Sequence, residues 1–102
     1  MKDTIFALST APGVSALAVL RISGPNAFST LKKIIIGKIP KPRVATLKKI
    51  VWCGDIIDEC IVVCFNSGSS FTGEQVVELH LHGSHAVIKK ISSIFNEKDF
   101  VD

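Results

Sequence analysis

Between Thr4 and Phe95 the chain alternates apolar runs with short polar breaks, and the period of each run predicts its element. Thr4–Ser9 and Ala16–Ile22 are short apolar runs separated by Ala11-Pro12-Gly13, which reads as two strands and a turn. The second run has the composition of a buried, parallel-type strand, with Arg21 the only charge near its exit. Ser23-Gly24-Pro25 then supplies a cap and a proline preset for a first turn. Phe28, Leu31, Ile34 and Ile35 follow at helical spacing, predicting a helix from Pro25 to Ile36 that Gly37 ends. Ile39–Pro42 holds two prolines and is excluded from any central strand. Val44–Cys53 and Cys60–Phe65 return to strand character and form a hairpin, with Asp55, Asp58 and Glu59 near its tip as solvated turn acids.

From Gln75 the period is two: Val77, Leu79 and Leu81 point one way, Val76, Glu78, His80 and His82 the other. One face of this strand can bury while the other carries an acid and two imidazoles, side chains that are costly to bury without partners. After Gly83, with Ser84 as cap, Val87, Ile88, Ile91, Ile94 and Phe95 mark the apolar face of a second helix. At 102 residues the chain is one domain. With 47% hydrophobic and 21% charged residues it has the profile of a compact soluble protein. The sequence holds no apolar run of the ~20 residues that span a bilayer and no secretory signal at Met1–Thr4, so a cytoplasmic protein without a membrane partner is expected.

Four further features bear on chemistry. Cys53, Cys60 and Cys64 are odd in number and lack a CxxC spacing, and are expected to be reduced core residues. Lys32, Lys33, Lys38, Lys41, Arg43, Lys48 and Lys49 form a basic segment with no acid inside it, which is either a solvated surface or a site for phosphate and other polyanions. Arg21 either holds an anion with its rigid fork of donors or pairs with an acid of the same domain. His80-x-His82-x-x-His85 offers a zinc reading, which His85 weakens because it lies beyond a glycine in the first turn of a helix. No phosphate-binding loop of the nucleotide hydrolases is present in the sequence.

Several phrases, in order, resemble the N-terminal domain of the tRNA-modification GTPase family MnmE/TrmE. They are Asp3-Thr4-Ile5-Phe6-Ala7, Pro12-Gly13, Arg21-Ile22-Ser23-Gly24-Pro25, Pro42-Arg43-Val44-Ala45, and Ser70-Phe71-Thr72-Gly73-Glu74-Gln75-Val76-Val77-Glu78 through His82-Gly83. The chain departs from the family pattern at Val14-Ser15-Ala16 and at Ser84, where the family carries glycines. The resemblance implies an α+β fold, a mixed β-sheet with about two flanking helices, like the folate-binding domain of aminomethyltransferases. It implies that residues 1–102 are a tetrahydrofolate-binding and dimerisation domain, incomplete at its C-terminus, the helical and GTPase domains of the parent protein lying outside it.

By the same resemblance the ligand is a tetrahydrofolate derivative, in its 5-formyl or methylene form, acting as one-carbon donor. The partners are a second copy, the flavin-dependent protein MnmG/GidA and, through the full-length complex, tRNA whose wobble uridine receives an aminomethyl-type group. GTP, potassium and magnesium belong to the GTPase domain alone, and the fragment carries no catalytic or metal-ligating residue of its own. Glu78 is assigned to the pterin ring and Arg21 to the glutamate tail, with Thr72, Gly73, Glu74 and His80 lining the site or the dimer seam. The alternatives are a dimerisation module without ligand, the histidine-based zinc site, and direct tRNA binding through residues 32–49.

Overall fold

A computed structural model of the chain describes residues 5–8, 17–66, 74–82 and 85–95. In chain order these form β1 (Ile5–Leu8), β2 (Leu17–Ser23), α1 (Ala27–Lys32), β3 (Thr46–Trp52), β4 (Asp55–Phe65), β5 (Val76–His82) and α2 (His85–Phe95). The strands make one five-stranded sheet in the order β1-β2-β5-β4-β3. The expected α+β class with two helices holds, and all four pairings of the sheet are antiparallel, so β2 is buried without parallel neighbours. Its core side chains, Ala18, Leu20 and Ile22, are covered on one face only.

β5 sits at the centre, paired to β2 on one side and β4 on the other. Its predicted alternation is obeyed: Val77, Leu79 and Leu81 are buried in the core, while Glu78, His80 and His82 lie on the other face. Leu20, Ile22, Val62, Cys64, Val77, Leu79 and Leu81 meet Ala27 and Leu31 of α1 and Ile91, Ile94 and Phe95 of α2 in a single cluster. Both helices therefore cover the same face of the sheet. At the β1 edge the ring of Phe6 stacks on Phe95 at 4.9 Å.

α1 is shorter than the predicted 25–36 helix. It covers Ala27–Lys32, and the run Ile34-Ile35-Ile36 leaves it for strand-like pairing along the outer edge of β3. Ile35 bridges Ile50, and the Val51 N–H donates to the Ile34 carbonyl at 2.7 Å. Three successive β-branched side chains are stiff at χ1 and suit an extended edge better than a helix. Ile34 and Ile35 are buried as expected, by pairing with the sheet and not by a helical stripe. Ser23 is a strand residue and does not hold the N-cap position, which is Asn26, and the Phe28 N–H is met from a distance by the Gln75 side chain at 3.2 Å.

The β3–β4 hairpin turns on Cys53 and Gly54, both at positive φ (51° and 86°), as a two-residue primed turn requires. Cys53 is thereby exposed at the tip and is not a core residue, while Cys60 and Cys64 are buried as expected. Because the turn is so tight, β4 begins at Asp55, and Asp58 and Glu59 lie inside the strand instead of at the tip. Ile50 faces Asp58 and Val51 faces Ile56, so the β4 side carries one extra residue at Ile57, a bulge that re-aims its neighbours. The proposed cap Ser84 and the departures at Val14-Ser15-Ala16 lie outside the described residues.

Candidate functional site

The sheet face opposite the helices is the one that carries chemistry. Register places Arg21 of β2 directly across from Glu78 of β5, and Val63 of β4 on the other side of Glu78. Period-two alternation aims all three side chains away from the core. Arg21 Nη2 donates to Glu78 Oε2 at 2.6 Å. His80, two residues along the same strand, brings Nε2 to 3.3 Å from the other carboxylate oxygen, Oε1. Both oxygens of Glu78 thus face a nitrogen, in a carboxylate only 18% exposed between a half-open arginine and a half-buried histidine.

The electrostatics follow from that placement. Burial alone raises the pKa of Glu78. The hydrogen bonds from Arg21 and His80, and their charges, outweigh it and hold the carboxyl below the ordinary glutamate range. Glu78 is therefore an anion at neutral pH, an acceptor with two oxygens on a face that neither described helix covers. Arg21 uses one of its five donors on it. The site can accept from a ring bearing N–H donors and, beside that, offer a cation to a carboxylate.

Glu74 and Gln75 lead into β5 and are half-buried, so the segment that delivers Glu78 is tied down before the strand begins. Gln75 does the tying: its carbonyl accepts from Gly24 N–H at 3.0 Å and its side chain from Phe28 N–H. Of the residues predicted to line the site, Arg21, Glu78 and His80 are brought together, Glu74 lies at the entry to the same strand, and Thr72 and Gly73 fall outside the described residues.

The sequence pattern makes Asp58 a solvated turn acid, and the fold gives it another role. Its carboxylate is 9% exposed and accepts the His82 backbone N–H at 2.9 Å through Oδ2, while Oδ1 lies 2.7 Å from His82 Nδ1. The β4–β5 ladder runs from Phe65↔Val76 to Ile61↔His80, and past that point Asp58 takes over the pairing of β5. The one visible sign in the sequence is a pair of acids, Asp58 and Glu59, inside the otherwise apolar run from Ile56 to Phe65. His80 and His82 share a face but are held by different carboxylates, and no three potential metal ligands converge among the described residues. Nor is any described helix long and apolar enough to cross a membrane.

An antiparallel α+β domain with a carboxylate–guanidinium–imidazole cluster on the face opposite its described helices is thus the class that fold and site define. The chain belongs to the TrmE N-terminal family: the family described as "GTP-binding protein TrmE N-terminus" matches residues 4–100. Among its relatives is a tRNA modification GTPase MnmE of Cereibacter sphaeroides, 40% identical over 95 residues, which covers 93% of this chain and 22% of the relative. The mitochondrial tRNA modification GTPase mss1 of Schizosaccharomyces pombe is 52% identical over 87 residues, 83% of this chain and 17% of the relative. An MnmE of Ehrlichia ruminantium is 52% identical over 90 residues, 87% of this chain and 20% of the relative. The chain therefore corresponds to the N-terminal domain of a tRNA modification GTPase and spans about a fifth of the length of these curated relatives.

Proposed function

We propose that this domain binds a tetrahydrofolate derivative on the open face of its sheet and forms a homodimer, as part of a cytoplasmic protein that modifies the wobble uridine of tRNA. The observation that carries the reading is Glu78, held ionised and mostly buried beside Arg21 and His80 on a face that neither described helix covers. A pterin presents ring N–H and amino donors on one edge, which a carboxylate with two accepting oxygens can pair. The remaining donors of Arg21 stand beside that carboxylate and suit the glutamate tail. The residues present thus fit the ligand, which when bound supplies the one-carbon unit. Glu78 orients the ring, Arg21 neutralises the tail, and His80 holds the second oxygen of Glu78. Partnership with a flavin-dependent protein of the MnmG type, and GTP hydrolysis with potassium and magnesium, belong to the parent protein in this reading.

A second reading rests on the same contact. Arg21 and Glu78 are cross-strand neighbours, and a pair that only fastens β2 to β5 would look the same in the absence of ligand. Calorimetric titration with 5-formyltetrahydrofolate separates the two readings. The folate reading expects saturable heat and a rise in Tm with ligand concentration. Silence in both measurements at millimolar ligand leaves only the fastening role. Light scattering across a concentration series tests the dimer independently.

A further inference from the structure

The basic segment that the sequence singles out is not used by the folate site, and the fold draws part of it together. Where the Ile34–Ile36 run leaves β3, Gly37 takes a positive φ of 91°. Lys32, in the last turn of α1, donates Nζ to the Gly37 carbonyl at 2.9 Å. Lys48, on β3, brings its Nζ to 3.3 Å from where a Cβ on Gly37 would stand. Two ammonium groups distant in sequence therefore converge on one turn, and the exposed Lys38 follows directly. Lys41 and Arg43, both exposed, continue the positive surface toward the start of β3. Arg43 is fixed there by its own N–H, which donates to the Cys64 carbonyl at 2.7 Å.

Among the described residues, the acids of β4 and β5 are placed away from this turn. No Asp or Glu occurs between Lys32 and Gly54. Of the acids that follow, Glu78 is engaged by Arg21 and His80, and Asp58 by His82. Glu59 lies beside Lys49 across the β3–β4 ladder, and alternation along β3 puts Lys48 on the opposite face from both. Asp55 is at the hairpin tip, beyond the far end of β3. Like charges brought together raise the local potential for a polyanion.

We propose that the surface around Gly37, formed by Lys32, Lys38, Lys41, Arg43 and Lys48, is a docking surface for the phosphodiester backbone of structured RNA. The proposal rests on the reading of the parent protein as a tRNA-modifying one. Cations strung along an edge suit repeated phosphates, whereas a single small anion would be met by one convergent cluster. No aromatic side chain lies between Lys32 and Val51, so bases have no platform to stack on, and the contact is to backbone without sequence preference.

The test is fluorescence anisotropy of the 102-residue chain with a short labelled RNA stem-loop, between about 50 and about 200 mM salt. The expected result is a steep loss of affinity with salt, and a slope about two smaller for Lys32→Gln/Lys48→Gln. That double variant should bind on the order of tenfold more weakly near 0.1 M salt. Lys89→Gln/Lys90→Gln on α2 removes the same charge elsewhere and should leave the slope unchanged. Circular dichroism shows whether each variant is folded; if the first pair is not, the exposed pair Lys38→Gln/Lys41→Gln repeats the test with the same expectation. A flat salt response, equal losses in both pairs, or equally tight and equally lysine-dependent binding to phosphatidylserine vesicles overturns the proposal. RNA binding without folate heat would sink the folate reading and leave the patch standing, and folate heat without RNA binding would do the reverse.

Discussion

The two faces of the sheet are made from the same strands and differ in almost everything else. Toward the helices, Leu20, Ile22, Val62, Val77, Leu79 and Leu81 are buried in one continuous cluster. Away from them, β5 shows Glu78, His80 and His82, β2 shows Arg21, and β3 shows Leu47 at 58% exposure. Alternation along β5 is enough to separate the two: each odd position buys burial, and each even one from Glu78 onward is left to find a polar partner. Stability is thus concentrated on one side, which leaves the other free to carry ionised groups where a ligand can reach them.

Breaking the covered face should have the largest effect. Leu79→Ala, at a position fully enclosed by the sheet and helices, is expected to cost about 2–5 kcal/mol in chemical denaturation. Its counterpart Leu47→Ala, on the open face, should change stability by no more than about 0.5 kcal/mol. A larger cost at Leu47 that grows with protein concentration would mean that this face is covered in solution.

Next comes Asp58→Ala, which deprives the His82 N–H of its acceptor at the end of β5 and should cost about 1–3 kcal/mol. Hydrogen exchange gives the sharper readout. The His82 amide should lose protection while Leu79 keeps it, and an unchanged His82 amide would remove the pairing role assigned to Asp58.

Glu78→Gln is expected to matter less to stability, about 1 kcal/mol or below, because its partner Arg21 is 44% exposed and screened by water. Its signature is in the pH dependence. Glu78 has a folded-state pKa lowered below 4.5, so the contribution of the pair is complete above that value and fades as pH falls through the lowered one. The difference in stability between the protein and the variant should therefore shrink on acidification, and a difference constant from neutral pH into strong acid would contradict the pair.

The smallest effect separates the three thiols without changing stability. Cys53 is exposed at the hairpin tip, whereas burial pushes the Cys64 thiol up to about 11, and burial together with the Asp58 charge pushes Cys60 up to about 12. A disulfide reagent at neutral pH should titrate Cys53 rapidly in the native protein and the other two only on unfolding.

Much of this was legible in the chain itself because period-two burial is a local property. β5 follows from it, as the apolar face of α2 follows from the equally local helical period of 3.6. What escaped depended on partners distant in sequence. The Ile34–Ile36 run has helical spacing with Phe28 and Leu31, and only the open edge of β3 decides that it extends. Asp58 resembles any acid near a turn until the bulge at Ile57 and the end of the β4–β5 ladder bring it to His82. The cap on α1 comes from Gln75, 47 residues beyond the Phe28 N–H it serves. Arg21 and Glu78 stood out separately in the sequence, and it is the antiparallel register of β2 with β5 that puts them face to face.

The central claim is that this juxtaposition binds a folate. It is tested most directly by isothermal titration of 5-formyltetrahydrofolate into the protein and into Glu78→Gln, with light scattering to follow the oligomeric state of each. Saturable heat from the protein, strongly weakened in the variant at unchanged oligomeric state, is the predicted result. Equal heats from both, or none from either, would contradict it and leave Arg21 and Glu78 as a fastening between two strands.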